Sequence, residues 1–232
     1  MTDFYETFKK SQVVLPVIHV ENKKQALWNA ETAKKAGADG VFLISMRGMG
    51  SEGLLEIQRE VKKEFSTWWV GVNLLGESTV RVFNKLDDNV SGLWTDNAQI
   101  NEWSKKQFEA DSIKLAKEKS GWNGLYFGGV AFKYQRQVDN LALAAQIASQ
   151  YVDVITTSGE GTGLAPDYGK IAAIKASVGN FPVAIASGIS PENVTTYKDV
   201  ANCYLVATSL LVPGTENFDY SKVSDLVQAV KG

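Results

Sequence analysis

Residues 152–210 carry three stretches of one design: VDVITTSGEGTG (152–163), PVAIASGISPEN (182–193) and NCYLVATSL (202–210). Each is a short apolar, β-branched run that ends in Gly, Ser or Thr and then enters a helix-like segment. Near-continuous apolar runs are what a parallel sheet buried on both faces requires. Small residues at the strand ends let backbone N–H groups come close to an anion.

The same alternation extends to the N-terminus. Strand-like runs fall at 13–20, 40–45, 68–74, 92–96, 124–132, 152–157, 182–186 and 203–207. Helix-like segments fall at 22–36, 52–64, 78–86, 100–119, 138–149, 166–177, 191–199 and 219–230. Ile100, Trp103, Phe108, Ile113 and Leu115 recur at helical spacing among polar residues, and Leu141, Ala144, Ala145 and Ala148 form a face suited to close packing. Gly37, Gly121 and Gly179 follow basic residues as C-terminal helix stops. Ser190-Pro191-Glu192 reads as a helix start, with an N-cap serine and proline at the first helical position. Eight strand–helix units predict an α/β fold, a single (β/α)8 TIM barrel, over an open doubly wound sheet. No linker interrupts the pattern, so residues 1–232 read as one domain. Residues 1–12 form a short lead-in whose Phe4, Tyr5 and Phe8 are expected against the barrel bottom.

Bulk composition removes several function classes. Apolar residues make up 44% and charged residues 22%, ordinary values for a globular chain, and the formal net charge of −2 gives no field for nucleic acid or an anionic membrane. One cysteine excludes an intrachain disulfide and any multi-cysteine metal site, and Cys203 lies in a buried-strand pattern that suits an inert core thiol. No apolar run reaches the ~20 residues of a membrane span. The first twelve residues lack a signal-peptide core, so a cytoplasmic location is expected.

Barrel enzymes bind ligands at the C-terminal ends of the strands. That rule selects His19, Arg47, Asn73, Asp96, Lys133, Ser158 to Gly163, Ser187, Gly188, Thr208 and Ser209. The loops after strands 7 and 8 commonly seat phosphate, here through Gly188, Thr208 and Ser209, with Ser158, Gly161, Thr162, Gly163 and Ser187 alongside. Ala207 stands where a glycine would let the backbone approach an anion more closely. Ser190 suits plain capping. His19, the only histidine, Asp96, Lys133 and Glu160 are the groups that could move protons. A rim histidine and a solvated loop carboxylate are the bland readings of His19 and Glu160, and Trp94 reads as core packing. No dinucleotide or Walker motif occurs, no cofactor is expected, and Mg²⁺ on Asp96 or Glu160 stays open.

Residues 152–163, then GKIAAIKASVGNFPVAIASGISPENV (169–194) and ANCYLVATSLLVPGTENFDYSKVSDLV (201–227), resemble the BtpA/SgcQ-like family. Its members carry SG-x-x-TG, then P-V-x-x-x-SG-x-x-x-EN, then a strand ending GTS. VIHV (17–20), VGVNLL (70–75) and FKY (132–134) match the family's first-strand histidine, third strand and fifth-strand lysine. The chain departs from it at ENKKQA (21–26), at MRGMGSEG (46–53), at ATS in place of GTS and at Leu211. The resemblance implies a divergent member on a ribulose-phosphate-binding type of barrel and makes a homo-oligomer an expectation; family members are described as photosystem-assembly factors or transferases.

The expectation is an enzyme, an isomerase, lyase or transferase, acting on a small phosphorylated ligand such as a phospho-sugar or ribose-phosphate compound. A non-catalytic assembly factor and a phosphoribosyltransferase-like activity are the alternatives, and nucleic acid is not an expected partner.

Overall fold

Eight parallel strands pair in chain order and the first closes on the last. The computed structural model describes residues 3–46 and 48–232; Arg47, the strand-2 candidate, lies outside them. The strands are β1 (Val13–Val20), β2 (Gly40–Ser45), β3 (Trp69–Asn73), β4 (Gly92–Thr95), β5 (Leu125–Gly129), β6 (Val154–Thr157), β7 (Val183–Ala186) and β8 (Cys203–Val206). Helix α1 (Phe4–Phe8) precedes β1. Helices α2 (Lys23–Lys35), α3 (Ser51–Glu64), α4 (Thr79–Val82), α5 (Phe108–Ser120), α6 (Leu141–Ala148) and α7 (Tyr168–Val178) follow β1 to β6, and α8 (Tyr220–Lys231) follows β8. The fold is a single (β/α)8 barrel.

Local chemistry fixes the helix ends. The side chains of Asn22, Asn140, Asp167 and Asp219 accept first-turn N–H groups of α2, α6, α7 and α8. Gly121 and Gly179 sit at positive φ just beyond α5 and α7.

Two helix expectations fail. Residues 100–107 form a turn, because Gln107 bonds the N–H and C=O of Asn101 and the C=O of Ser104, and Asn101 Oδ1 accepts the Trp103 N–H. These bonds offer the backbone an alternative to the helix. Residues 191–199 hold only turns and a 3₁₀ segment, Val194–Tyr197. Asn193 bonds the Gly188 carbonyl and the Ser190 N–H, which draws the chain back onto the loop it has just left.

Side chains alternate between two cores, as strand geometry requires. Val14, Ile18, Val41, Leu43, Val70, Val72 and Ile155 face the helices. Val13, Leu15, Val17, Phe42, Trp69, Trp94, Leu125, Phe127 and Leu205 fill the barrel. Phe42 meets Trp69, Phe127 and Trp94 edge-on at ring-centroid distances of 4.9, 5.2 and 5.8 Å. Phe8 of α1 closes the bottom against Trp69, with centroids 5.5 Å apart.

Trp69 fits because its neighbours lack side chains. A Cβ on Gly92 would stand 2.2 Å from Trp69 Cζ2, one on Gly71 2.6 Å from Cη2, and one on Gly40 2.9 Å from Trp69 Cβ. Gly53 in α3 meets only Met49 Cγ at 3.5 Å, an ordinary contact. Gly92→Ala should therefore destabilise the fold by ~1–3 kcal/mol through overpacking. Gly53→Ala should stabilise it by ~0.5–1 kcal/mol, as alanine does within a helix. Urea denaturation of the two variants checks the opposite signs.

Candidate functional site

The alternation that fills the barrel with Val17, Gly71 and Trp94 places His19, Asn73 and Asp96, two residues further along β1, β3 and β4, at the inner rim of the mouth. There a cavity of about 440 Å³ opens above Val17, Ile44, Trp94 and Leu205. His19, Lys133, Thr162, Gly163, Ser187, Gly188, Thr208 and Ser209 line its polar wall, and no Asp or Glu side chain does.

His19 Nδ1 lies 2.9 Å from Glu216 Oε2. An ionised carboxylate only accepts, so Nδ1 carries a proton, and in the neutral ring the lone pair is then on Nε2. Glu216 is itself fixed by α2. Its carbonyl accepts from Gln25 Nε2 at 2.8 Å and from Asn29 Nδ2 at 2.7 Å, and Asn29 Oδ1 accepts the Phe218 N–H at 2.8 Å.

The loops after β5 to β8 are stapled to one another. Lys133 N–H donates to Ser158 Oγ at 2.8 Å, and Lys133 Nζ reaches Thr162 Oγ1 at 3.3 Å. Ser187 Oγ accepts from Gly163 N–H and donates to the Gly161 carbonyl. Ser209 Oγ donates to the Ile189 carbonyl at 2.7 Å. Lys170 reaches across from α7 to the carbonyls of Ala131 and Ser158, and burial pushes its ammonium pKa down. Ser187, at φ 125°, holds a backbone conformation that L-residues rarely adopt. Gly188 lies at φ 68°, and a Cβ there would come within 2.1 Å of the Leu164–Ala165 backbone. Loop packing alone therefore demands glycine at 188.

The remaining candidates lie elsewhere. Ser158 is fully buried, and its hydroxyl is occupied by Lys133 N–H and the Gly159 carbonyl. Gly161 and Glu160 do not line the cavity; Glu160 is exposed and acts through its charge on Lys170. Asn73 and Asp96 line a neighbouring cavity of about 600 Å³, where Asn73 Nδ2 donates to Asp96 Oδ1 at 3.1 Å. Burial pushes the Asp96 carboxyl up, while the Asn73 bond and the Lys133 charge pull it back. Asp96 and Glu160 are therefore not brought together. Among the described residues no three His, Cys, Asp or Glu side chains cluster as a metal site, and no helix is long and apolar enough to cross a membrane. Cys203 is buried inside the barrel and burial raises its thiol pKa well above the ordinary value, as befits a core residue.

Sequence reasoning missed Glu216, Asn193 and Arg136. Glu216 sits in a turn beyond the last strand and gains its meaning only when β8 closes on β1. Arg136 donates to both oxygens of the buried Glu102 and to the Ile100 carbonyl, with its guanidinium 4.5 Å from the Trp103 ring centre. It ties the loop after β5 to the loop after β4.

The protein is a closed parallel (β/α)8 barrel whose mouth cavity, at the C-terminal ends of the strands, is free of Asp and Glu side chains among the described residues. Residues 107–232 match the BtpA family model, more than half of the chain, and the protein belongs to the BtpA family. The match takes in FKY (132–134) but not VIHV or VGVNLL. No curated protein matches the sequence. Among solved structures, (S)-3-O-geranylgeranylglyceryl phosphate synthase from Thermoplasma acidophilum, in complex with its substrate sn-glycerol-1-phosphate, superposes with a TM-score of 0.71 at 14% identity, covering 100% of this chain and 99% of that one. A Mycobacterium tuberculosis tryptophan synthase chain gives 0.74 at 13% identity with both chains fully covered. Phosphoribosyl anthranilate isomerase from Thermus thermophilus gives 0.66 at 12%, covering 95% and 98%. At such identities the likeness is one of fold.

Two measurements check this geometry. As His19 is the only histidine, its ring nitrogens can be read by NMR without assignment ambiguity. The neutral ring should be the Nδ1–H tautomer in the wild type and shift toward Nε2–H in Glu216→Ala; an unchanged tautomer would refute the role given to Glu216. Separately, Arg136 holds the Glu102 carboxyl down at about 2. A carboxyl held low in the folded state adds stability above its unfolded pKa and loses it as pH falls toward the folded one. The stability gap between wild type and Glu102→Gln, measured in urea, should be widest near pH 7 and narrow by ~1–2 kcal/mol from about pH 5 downward.

Proposed function

We propose that the protein is an enzyme acting on a small phosphorylated ligand, a phospho-sugar or ribose-phosphate compound, bound at the mouth cavity. The observation that carries this reading is the convergence on one cavity of Lys133, the loop ends at Thr162–Gly163 and Ser187–Gly188, and Thr208–Ser209, with no carboxylate in the lining. A phosphate group needs a cation and several N–H or O–H donors and is repelled by carboxylates. The cavity volume lies within the ~300–1,000 Å³ common for small-ligand sites.

In this reading the phosphate sits against loops 6 to 8, with Lys133 supplying charge. His19 faces the same cavity with Nε2 free to take a proton, while Glu216 behind it holds the ring and balances the imidazolium that forms. Asp96, in the neighbouring chamber but within range of the Lys133 charge, would handle a second proton or hydroxyl of a ligand that extends across the boundary. Such a set suits isomerisation, epimerisation, aldol-type cleavage or phosphoribosyl transfer. The barrels named above are enzymes, and two of the names specify a phosphate or phosphoribosyl compound; that is analogy of fold and adds little beyond the site itself.

A thermal-shift panel of phosphate esters tests the reading. A ligand present at ~100 times its Kd should raise stability by ~2.7 kcal/mol, a shift of a few degrees for a domain of this size. Lys133→Met should abolish the shift and Thr208→Val reduce it, with the unliganded Tm little changed in both. If no phosphorylated compound moves the Tm of the wild type, the reading is wrong. Gly188 is unsuitable for this test, since any side chain there strikes the loop after β6.

A further inference from the structure

The mouth has a second chamber of opposite character. Its wall is formed by the loop after β3, the rim residues of β4 and the first turns of α5, and it encloses about 600 Å³. Asp96, Glu77 and Glu109 line it, and among the described residues no Lys or Arg side chain does. Glu77 is neutralised by Lys85 at 2.7 Å and accepts from Ser51, so Asp96 and Glu109 set the sign of the space. Asn73 beside them is buried and bonded to Asp96. The first turn of α5 would attract anions through its free N–H groups, but Glu109 and Asp111 stand in that turn and oppose it.

The same chamber is rimmed by apolar surface that the fold leaves in water. Leu75, Val80 and Phe108 line it at 44%, 39% and 65% exposure, with buried Ile113 behind them. Exposed apolar side chains gathered around one concavity gain by burial against an apolar body at ~25 cal/mol per Å². The carboxylates exclude an anion from the same space. Lys133 lines the first cavity and its charge acts on Asp96, so the two chambers are neighbours.

We propose that this second chamber binds a protonated amine carried on an apolar body. Asp96 and Glu109 would receive the ammonium group, and Leu75, Val80 and Phe108 would cover the apolar part. The inference goes beyond the phosphate reading and does not depend on it, since a cationic group could occupy this chamber whatever fills the first. The mouth would then take reactants of opposite charge side by side, with Asp96 and Lys133 at the boundary between them.

Saturation-transfer NMR with three isosteric probes tests this, in the absence of any phosphate ester: 2-phenylethylamine, 2-phenylethanol and phenylacetate. The expected order is amine tightest, alcohol weaker, carboxylate not detected. Asp96→Asn should weaken the amine about fivefold or more, as loss of a charge-assisted hydrogen bond does. Glu109→Gln and Phe108→Ala, both at exposed positions that leave the fold intact, should each weaken it about twofold or more. Phenylacetate binding as well as the amine, the alcohol matching the amine, or amine binding that is absent or insensitive to both Glu109→Gln and Phe108→Ala would each overturn the proposal. None of these outcomes bears on the phosphate-ester panel, so the two readings fail separately.

Discussion

The packing of Trp69 into the lower barrel is the constraint on which the rest depends. A barrel of eight strands has an interior just wide enough for side chains to fill. Here one indole takes most of the lower space on the β2–β4 side, and Gly40, Gly71 and Gly92 leave room for it. Phe42 and Phe127 then meet it edge-on, Trp94 packs on Phe42, and Phe8 seals the base. The interior is closed from below, so space remains only at the top. Function on this fold is forced to the strand ends, where side chains are too short or too polar to complete another packed layer.

What happens at the top is governed by hydrogen bonds between loops. The hydroxyls of Ser158, Ser187 and Ser209 each bond to backbone, and all three tie neighbouring loops together. Lys170 of α7 reaches the Ala131 carbonyl in the loop after β5, and Arg136 of that loop reaches the Ile100 carbonyl in the loop after β4. Each of these groups replaces a bond to water with one to protein, a modest net gain that also removes loop freedom. The cavity walls are therefore held in place without help from a ligand, which is what pre-organisation of a binding site requires.

The strands were legible because their signal is strong and local. β1 and β2 begin and end where the apolar runs do, and the others differ by a few residues at the ends. The helices were legible where capping residues and apolar spacing agreed, as in α2 and α8. They were illegible at 100–107 and 191–199, where Gln107 and Asn193 turn the backbone aside through bonds to neighbours that no periodicity reports. The site divides in the same way. Strand-end position led to His19, Lys133, Thr208 and Ser209, which the fold brings to the mouth cavity. It also drew in Ser158 and Gly161, whose polar groups are consumed between loops, and Glu160, which faces solvent. Glu216 could not be read at all, because a turn residue 197 positions from His19 becomes its partner only through closure of β8 on β1.

Ala207 shows what a sequence argument about small residues leaves out. A glycine at the tip of β8 would relax the backbone, and alanine there suggests a poorer seat for an anion. Yet Ala207 lies at φ −123°, outside the left-handed region that favours glycine, and it lines the cavity wall. Nothing in that conformation calls for glycine. Gly188 is the reverse case: its glycine looks like a ligand-binding signature, but the Leu164–Ala165 backbone requires it whether or not an anion binds. The weight of the phosphate reading therefore rests less on glycines than on charge. Lysine, hydroxyls and a histidine face the first cavity, and carboxylates face only the second. Such a division of sign across a few residues of one rim means that each chamber would favour a ligand group of the opposite charge.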